Sequence, residues 1–401
     1  MSKAIELEQR FGAANYNPLP VVLTRGRGCH VWDEHGNKYL DMMGAYSAVS
    51  HGHAHPRLLA VLGEQASRLS VVSRAFHTDR LGQFLERACE VTGMDMALPM
   101  NTGAEAVETA LKAARRWAYE RKQVPADQAE VIVCEGNFHG RTLAGIAMSS
   151  EPEYRENFGP LPGGFRLIPF GDANALDSAI TPNTAAFLVE PIQGEGGIVI
   201  PPDGYLARCS EICRRENVLL LCDEIQTGLG RTGQLLACHH DKVQPDGLLL
   251  GKALGGGILP VSLFLARRDV MELFRPGSHG STFGGNPLAA AVAKTALDVL
   301  LDEDLITNSR SMGKYLLDGL RKRSSPVLAD TRGRGLFIGM QLNPDMISAR
   351  AFCERLMTQG ILTKDTHATV VRLAPPLIIQ RQEVDWALTR IEQVLREIEA
   401  Q

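Results

Sequence analysis

The chain has 401 residues, of which 44% are hydrophobic and 22% are charged, a composition that excludes disorder, collagen-like repeats and low-complexity function. It carries 42 Lys and Arg against 46 Asp and Glu, for a formal net charge of −4, so its overall charge gives no basic field to gather nucleic acid or an anionic membrane surface. A single hydrophobic core stops growing at roughly 250–300 residues, so we expect more than one domain.

The segment 1–12 carries two acidic and two basic residues and has no apolar run, which predicts neither a secretory signal nor a transit peptide. The longest uncharged stretch, 276–293, contains four glycines and two prolines, so it cannot span a bilayer. Eight cysteines are scattered without a CxxC pair, which is typical of reduced thiols inside a cell. We therefore expect a soluble cytoplasmic protein without nucleic-acid or membrane partners.

In chain order, residues 31–40 predict two short strands around a Glu-His-Gly-Asn turn. Four apolar runs follow in the middle of the chain, at 131–134, 186–189, 218–222 and 248–250, separated by helical segments such as 204–217. Runs that are apolar at every residue fit strands covered on both faces, and this spacing indicates a largely parallel sheet with crossover helices. The predicted fold class is α/β over roughly residues 60–285.

From residue 294 onward, long amphipathic stretches at 295–301, 309–323 and 384–398 surround a strand-like segment at 335–339. These patterns predict a large domain over residues 51–290 and a smaller α/β domain built from both ends of the chain. Residues 1–50 and 291–401 would form that smaller domain. Ligands of open α/β sheets bind at the carboxyl ends of the strands, so the residues that follow each run are the candidate site.

Two such residues predict a site. Lys252 follows the run 248–250 among small residues, where burial lowers the pKa of an amine and makes it nucleophilic toward aldehydes; a lysine that extends to solvent is the alternative. Asp223 ends the run 218–222, and a buried carboxylate needs a partner, either an arginine or a protonated ring nitrogen. The two residues lie 29 positions apart, one strand–helix–strand step. A lysine and a carboxylate placed in this way are what pyridoxal phosphate requires.

Residues 101–110 predict the phosphate site of such a cofactor. Asn101 or Thr102 would cap a helix, Gly103 allows close approach, and an alanine-rich helix follows, so its first N–H groups are free to bind an anion. An ordinary capped helix is the alternative. The glycine patterns of dinucleotide-binding and P-loop proteins are missing where they are needed.

The pattern HxHxH, formed by His51, His53 and His55, raises the hypothesis of a metal site. On a strand the three imidazoles would share one face, but Gly52 and Pro56 favour a loop or the entry to a helix. We therefore expect no metal, and a metal-binding or regulatory protein remains the distant alternative. Cys209 and Cys213 lie four residues apart on a predicted helix, which is typical of buried thiols on an apolar face.

Together these residues resemble those of the class III pyridoxal-phosphate aminotransferases, which have fold type I. The resemblance covers the chain from Tyr16 to the last predicted helix and rests on seven motifs in family order. These motifs are NTGAEAVETA, GNFHGRT, EPIQGEGG, DEIQTGLGRTG, LLLGKALGGG, HGSTFGGNP and VRLAPPL. Within the class, YNPLPVVL at 16–23 and GAYSAVSHGHAHP at 44–56 resemble the branch that acts on ornithine.

The resemblance implies the roles of the residues around the cofactor. Lys252 would bind the cofactor aldehyde covalently and move the substrate proton, and Asp223 would pair with the ring nitrogen. The other implied contacts are Gln226 at the ring hydroxyl, Phe138 on the ring face, the N–H groups of Gly103 and Ala104 at the phosphate, and Thr282 at the phosphate of a partner subunit. The active site would therefore need a homodimer, with higher assemblies left open.

The resemblance also implies the substrates, L-ornithine and 2-oxoglutarate. Arg372 would bind the α-carboxylate of glutamate, and Glu195 would pair with that guanidinium while ornithine presents its apolar chain and δ-amine. Arg141 would hold the carboxylate at the far end of either substrate. Tyr16 and Tyr46 would frame the ornithine end.

One residue departs from the ornithine branch. His139, in GNFHGRT, stands where that branch often carries tryptophan, whereas enzymes that act on acetylornithine often carry histidine. Acetylornithine, GABA or another ω-amino acid therefore remains the alternative donor.

Overall fold

The computed structural model describes residues 2–401, which form fifteen strands and fourteen α-helices. The strands, in chain order, are β1 Leu23–Arg27, β2 His30–Asp33, β3 Lys38–Asp41, β4 Met96–Met100, β5 Glu130–Cys134, β6 Phe165–Ile168, β7 Thr184–Val189, β8 Leu219–Asp223, β9 Gly247–Leu250, β10 Ser262–Ala266, β11 Leu328–Arg334, β12 Phe337–Leu342, β13 Ile361–Leu362, β14 Lys364–Thr366 and β15 Val370–Leu373. The helices are α1 Lys3–Phe11, α2 Gly44–Ser47, α3 Pro56–Arg68, α4 Leu81–Thr92, α5 Gly103–Trp117, α6 Leu143–Ala147, α7 Pro152–Arg155, α8 Ala173–Ala179, α9 Tyr205–Arg215, α10 Arg268–Met271, α11 Pro287–Asp302, α12 Leu305–Arg321, α13 Ala349–Thr358 and α14 Arg381–Glu399.

A seven-stranded sheet with the order β4-β10-β9-β8-β7-β5-β6 forms the centre of the molecule. Strands β5 to β9 pair in parallel, and only β10 runs antiparallel to its neighbours. The four apolar runs are β5, β7, β8 and β9, so the predicted parallel α/β core is confirmed.

The sheet is covered on both faces, as its uninterrupted apolar strands predict. Along β8, Leu220 and Cys222 pack into one buried cluster together with residues of α9. Leu219 and Leu221 pack into another, together with residues of α5. Successive side chains of a strand point to opposite faces, so a strand placed between two helical layers is apolar at every position.

Two smaller four-stranded sheets, β1-β2-β3-β13 and β11-β12-β15-β14, contain the remaining strands. In the first, Ile361 of β13 pairs in parallel with Leu40 of β3, so the two ends of the chain share a sheet. The turn between β2 and β3 and the strand at 335–339 are found close to the predicted positions. The domain boundaries at residues 50 and 290 stay a prediction.

The amphipathic stretches near the C-terminus are α11, α12 and α14, but α11 begins eight residues earlier than predicted. Asn286 caps it by accepting a hydrogen bond from the N–H of Ala289 at 2.8 Å, and Pro287 occupies its first position. Alanines 289–291 and 293 gave no amphipathic signal because this part of the helix is buried all round. No helix within residues 2–401 is long and apolar enough to cross a membrane.

Candidate active site

A cavity of about 190 Å³ lies at the carboxyl edge of the central sheet. Its lining combines residues at or after the ends of β5, β7, β8 and β9 with the first residues of α5: Gly103, Ala104, Phe138, His139, Gly140, Glu190, Glu195, Asp223, Ile225, Gln226 and Lys252. Six of these residues are ones that the sequence predicts around the cofactor, and a seventh, Glu195, is predicted at the substrate.

Lys252 lies in this cavity in a left-handed backbone conformation, with φ of +44°. Burial lowers the pKa of its ammonium to about 8, an effect that the negative charge of Glu195 opposes and the positive charge of Arg372 reinforces. A lysine of this kind holds a substantial neutral fraction near pH 8 and can attack an aldehyde. The residues next to Lys252 in the sequence are uncharged, but the fold brings the charges of Glu195 and Arg372 close to it.

Asp223 is buried, and its partner is a histidine. Its Oδ2 lies 2.7 Å from Nδ1 of His139, and its Oδ1 accepts a hydrogen bond from the N–H of Ile225 at 3.1 Å. Burial alone would lower the pKa of His139, but the hydrogen bond and charge of Asp223 outweigh it and raise that pKa. The sequence predicts an arginine or a ring nitrogen as the partner of this carboxylate, and His139 is neither.

Glu190, which follows β7, is a second buried carboxylate at the site, and it is not among the residues predicted from the sequence. Its two carboxylate oxygens accept hydrogen bonds from the N–H groups of Phe138 at 3.0 Å and Gly194 at 3.2 Å. Burial raises its pKa to about 7, against the opposing charge of His139. Its position at the carboxyl end of an apolar run is the signal that could have found it.

The N-terminus of α5 opens into the cavity. The Oγ1 of Thr102 accepts a hydrogen bond from the N–H of Glu105, and the Glu105 carboxylate accepts one from the N–H of Thr102, which forms a capping box. Gly103 and Ala104 line the cavity at the first turn. A Cβ at residue 103 would stand 3.0 Å from Cδ1 of Ile225, so glycine lets the start of α5 pack closely against Ile225.

The Arg372 side chain is fully buried, and its Nη1 donates a hydrogen bond to Oε1 of Glu195 at 2.6 Å. Its Nε and Nη2 have no hydrogen-bond partner. Burial would raise the pKa of Glu195, but Arg372 and Lys252 outweigh it and lower that pKa to about 2. Nε2 of Gln226 also donates to Oε1 of Glu195, at 3.3 Å. The predicted pair is therefore formed, with guanidinium donors left over.

Of the predicted substrate residues, only Glu195 lines the cavity itself. The Tyr46 ring centroid is 5.0 Å from Cζ of Arg372. The exposed Arg141 stacks over Tyr154, with 3.3 Å between Cζ and the ring centroid. Tyr16 is 71% exposed, which leaves it open to solvent in a single chain.

Thr282 does not line the Lys252 cavity. It is exposed and lies at a separate surface cavity of about 680 Å³, formed by residues 71–74 and 280–282. Its neighbour Ser281 accepts a hydrogen bond from Nδ2 of Asn101 at 2.9 Å, which links this loop to the start of α5.

The three histidines of HxHxH have separate partners. Nε2 of His51 lies 2.9 Å from the backbone oxygen of Ala296, that of His53 lies 2.7 Å from Oδ2 of Asp41, and that of His55 lies 3.2 Å from Oε2 of Glu303. Within residues 2–401, no group of three His, Cys, Asp or Glu side chains is arranged to hold a metal ion.

These residues fit pyridoxal phosphate. Lys252 has a lowered pKa, a buried carboxylate is available for a ring nitrogen, and the open N-terminus of α5 is available for a phosphate. Two guanidinium nitrogens of Arg372 have no hydrogen-bond partner, and a guanidinium is the donor that carboxylates pair with most strongly. The fold and cavity are those of an enzyme that works with this cofactor.

The comparison with protein families makes the class specific. Residues 11–395 match the family described as Aminotransferase class-III, so the chain belongs to the class-III aminotransferases. The predicted family, fold type and cofactor are confirmed.

Curated relatives and solved structures share nearly the whole chain. The ornithine aminotransferase of Geobacillus sp. (strain WCH70) is 55% identical over 393 residues, 98% of each chain. A crystal structure of the ornithine aminotransferase from Toxoplasma gondii, with partial occupancy of PLP at its active site, has a TM-score of 0.97 and 47% identity over 99% of this chain and 94% of that one. An acetylornithine aminotransferase from Elizabethkingia anophelis has a TM-score of 0.89 and 46% identity over 98% of both chains.

Proposed function

We propose that this protein transfers the δ-amino group of L-ornithine to 2-oxoglutarate. The products are glutamate 5-semialdehyde, which cyclises to pyrroline-5-carboxylate, and glutamate. The observation that carries the proposal is the ion pair between Glu195 and Arg372 beside Lys252. The 55% identity with ornithine aminotransferases over 98% of the chain supports it.

The ion pair solves a problem that this substrate pair creates. Glutamate and 2-oxoglutarate bring a carboxylate next to the reacting carbon, whereas ornithine brings an apolar chain and an amine to the same place. A buried guanidinium facing that chain without an anion would be costly. Glu195 supplies the anion during the ornithine half-reaction, and Arg372 binds the substrate carboxylate during the other.

The bound cofactor supplies an aldehyde that accepts the amino group and a ring that takes up the electron pair released at carbon. Residues of this chain hold the cofactor and move the substrate proton. Lys252 holds the cofactor and carries a proton to and from the substrate carbon on its Nζ. Asp223, paired with His139, keeps a negative charge beside the ring nitrogen. The first N–H groups of α5, at Gly103 and Ala104, bind the phosphate, while Gln226 and Phe138 contact the ring.

The working unit that we propose is a homodimer. Thr282, which would bind the phosphate, lies outside the Lys252 cavity of its own chain, so it would have to reach a second chain's cavity. Val71, Phe76 and Phe283 are exposed apolar side chains, and they belong to or lie next to the segments 71–74 and 280–282 that form the surface cavity at Thr282. We expect the Thr282→Ala protein to sediment as a dimer and to bind the cofactor more weakly than the wild type. The cytoplasmic location stays a prediction.

An amino-donor panel with 2-oxoglutarate tests the reaction. We expect pyrroline-5-carboxylate from ornithine at a kcat/KM well above the values for N-acetylornithine and GABA. Lys252→Ala should abolish both turnover and the absorbance band of the covalently held cofactor. Faster turnover of N-acetylornithine than of ornithine would replace the proposal with the acetylornithine alternative, which His139 and the Elizabethkingia structure keep open.

A further inference from the structure

Lys364 has no role in the scheme above, yet β14 presents it to the substrate residues. It stands directly opposite Arg372 in the antiparallel pairing of β14 with β15, and directly opposed residues project from the same face of a sheet. Thr366, two residues further along the same face, donates a hydrogen bond from Oγ1 to the backbone oxygen of Glu195 at 2.5 Å. This face of β14 is therefore part of the wall around the Glu195–Arg372 pair.

The ammonium group of Lys364 contacts two predicted substrate residues. Its Nζ donates a hydrogen bond to Oη of Tyr46 at 3.4 Å and lies 5.7 Å from the Tyr46 ring centroid. The same atom lies 5.9 Å from the ring centroid of Tyr16. Among residues 2–401, no carboxylate approaches this Nζ within 4.0 Å. A half-buried cation with aromatic neighbours and no acidic partner points to an anionic ligand.

The backbone that carries Tyr46 supports a functional role. Four consecutive residues, Gly44 to Ser47, have positive φ, between 46° and 75°. In the three that are not glycine, this left-handed conformation is unfavourable because it brings Cβ too close to the backbone. Asp41 holds the entry to the turn, since its Oδ1 accepts hydrogen bonds from the N–H groups of Met43 at 2.9 Å and Gly44 at 2.8 Å. Strain that the surroundings maintain in this way is typical of residues that a site needs in one position.

The contact with Lys364 also orients the Tyr46 hydroxyl. Because the ammonium can only donate, it occupies a lone pair of Oη, and the hydroxyl proton must point to another acceptor. Tyr46 and Lys364 thus offer an O–H donor, further N–H donors and a positive charge side by side. A carboxylate matches this set, and an ammonium group is repelled by it.

We propose that Lys364 is a specificity-determining residue that, together with Tyr46, binds the substrate carboxylate farthest from the reacting amine. The inference rests on the proposed function, in which that group is the α-carboxylate of ornithine or the γ-carboxylate of glutamate. Lys364 adds a cation to Arg141, whose guanidinium stacks on Tyr154. By binding this carboxylate, Lys364 and Tyr46 select amino acids over simple diamines.

Putrescine tests the selection because it is ornithine without the carboxylate. Lys364→Met should lower kcat/KM for ornithine about 10- to 100-fold, the range expected for a charge-assisted hydrogen bond, while putrescine changes less than about threefold because it never offered a carboxylate. Lys364→Arg should keep most of the preference for ornithine. Lys314→Met, which removes a charge from an exposed ion pair on α12, is the matched control and should change neither rate.

A binding measurement separates substrate contact from turnover. Calorimetry on the cofactor-loaded proteins compares glutarate with pentanoate, which lacks one carboxylate. Lys364→Met should weaken glutarate binding about tenfold or more and leave pentanoate unchanged. Equal losses for ornithine and putrescine, or an unchanged glutarate affinity, would overturn the assignment while ornithine activity of the wild type stands. A wild-type protein inactive on ornithine would instead overturn the proposed function, and the inference with it.

Discussion

Replacing Glu195 by alanine should separate the two half-reactions. The variant removes the carboxylate whose Oε1 lies 2.6 Å from Nη1 of Arg372 and leaves the guanidinium free for any substrate carboxylate. Glutamate should then react at least as well as before. Ornithine should lose its δ-amine preference, because its own α-carboxylate can now bind Arg372 and bring the α-amine to the reacting position.

The structure sets the size of the effect. A Glu195 pKa of about 2, against an ordinary value of 4.5, corresponds to about 3 kcal/mol in favour of the ionised carboxylate. Much of this comes from Arg372, whose charge is the first of the two that lower the pKa. A charge-assisted hydrogen bond in such a site contributes about 1.5–3 kcal/mol, so we expect a shift of roughly 10- to 150-fold toward glutamate and other α-amines.

Single-turnover loss of the cofactor absorbance band, followed separately with ornithine and with glutamate, measures the two half-reactions. Glu195→Gln is the matched variant, because it keeps the size of the side chain and removes its charge. Equal slowing of both half-reactions in Glu195→Ala would refute the switch and leave Glu195 as a general carboxylate of the site.

Three further outcomes are expected. Asp223→Ala should retain cofactor more weakly and lose about 10³-fold or more in turnover, because the ring nitrogen loses its counter-charge; turnover within about tenfold of wild type would make Asp223 structural only. Covalent loading of cofactor-free protein, followed by absorbance, should accelerate as pH rises through about 8, because only the neutral Lys252 amine reacts and burial lowers its pKa. A midpoint near 10.5, the ordinary lysine value, would contradict this expectation. Arg231→Met should lower the free energy of unfolding in urea by about 3 kcal/mol or more, because the fully buried guanidinium donates to the backbone oxygens of Leu336 at 2.9 Å and Pro375 at 2.5 Å; a loss below about 1 kcal/mol would mean that water replaces these bonds.

The sequence predicts the central sheet well because its signal is local. A strand buried on both faces must be apolar at every residue, as in β8, and the residue that ends such a strand must lie at the sheet edge. Lys252 and Asp223 could be found from this rule alone. The start of α11 could not, because a helix buried all round has no amphipathic period.

The contacts that complete the site come from residues far apart in the chain. His139 meets Asp223 across 84 positions, and Lys364 meets Tyr46 across 318. No pattern of neighbouring residues encodes such a pairing, because it depends on how distant segments pack together. The contact between Lys364 and Tyr46, for example, depends on how β14 packs beside the turn at Tyr46. Glu190 differs in that its position after an apolar run is visible in the sequence, but its partners are backbone N–H groups, which leave no trace in residue identity.

Two carboxylates of the cavity, the half-buried Glu195 and the buried Glu190, differ in how their charge is compensated. Glu195 faces the Arg372 guanidinium and has a pKa of about 2, so it is fully ionised at neutral pH and ready to pair with that arginine. Glu190 has only backbone N–H donors within hydrogen-bond distance, and burial raises its pKa to about 7. Near neutral pH it therefore divides between neutral and charged forms. Environments that push the pKa values of neighbouring carboxylates apart give them different tasks. In the proposed reaction we therefore expect Glu195 to act as a fixed charge that a substrate carboxylate displaces, and Glu190 to adjust the net charge next to the His139–Asp223 pair.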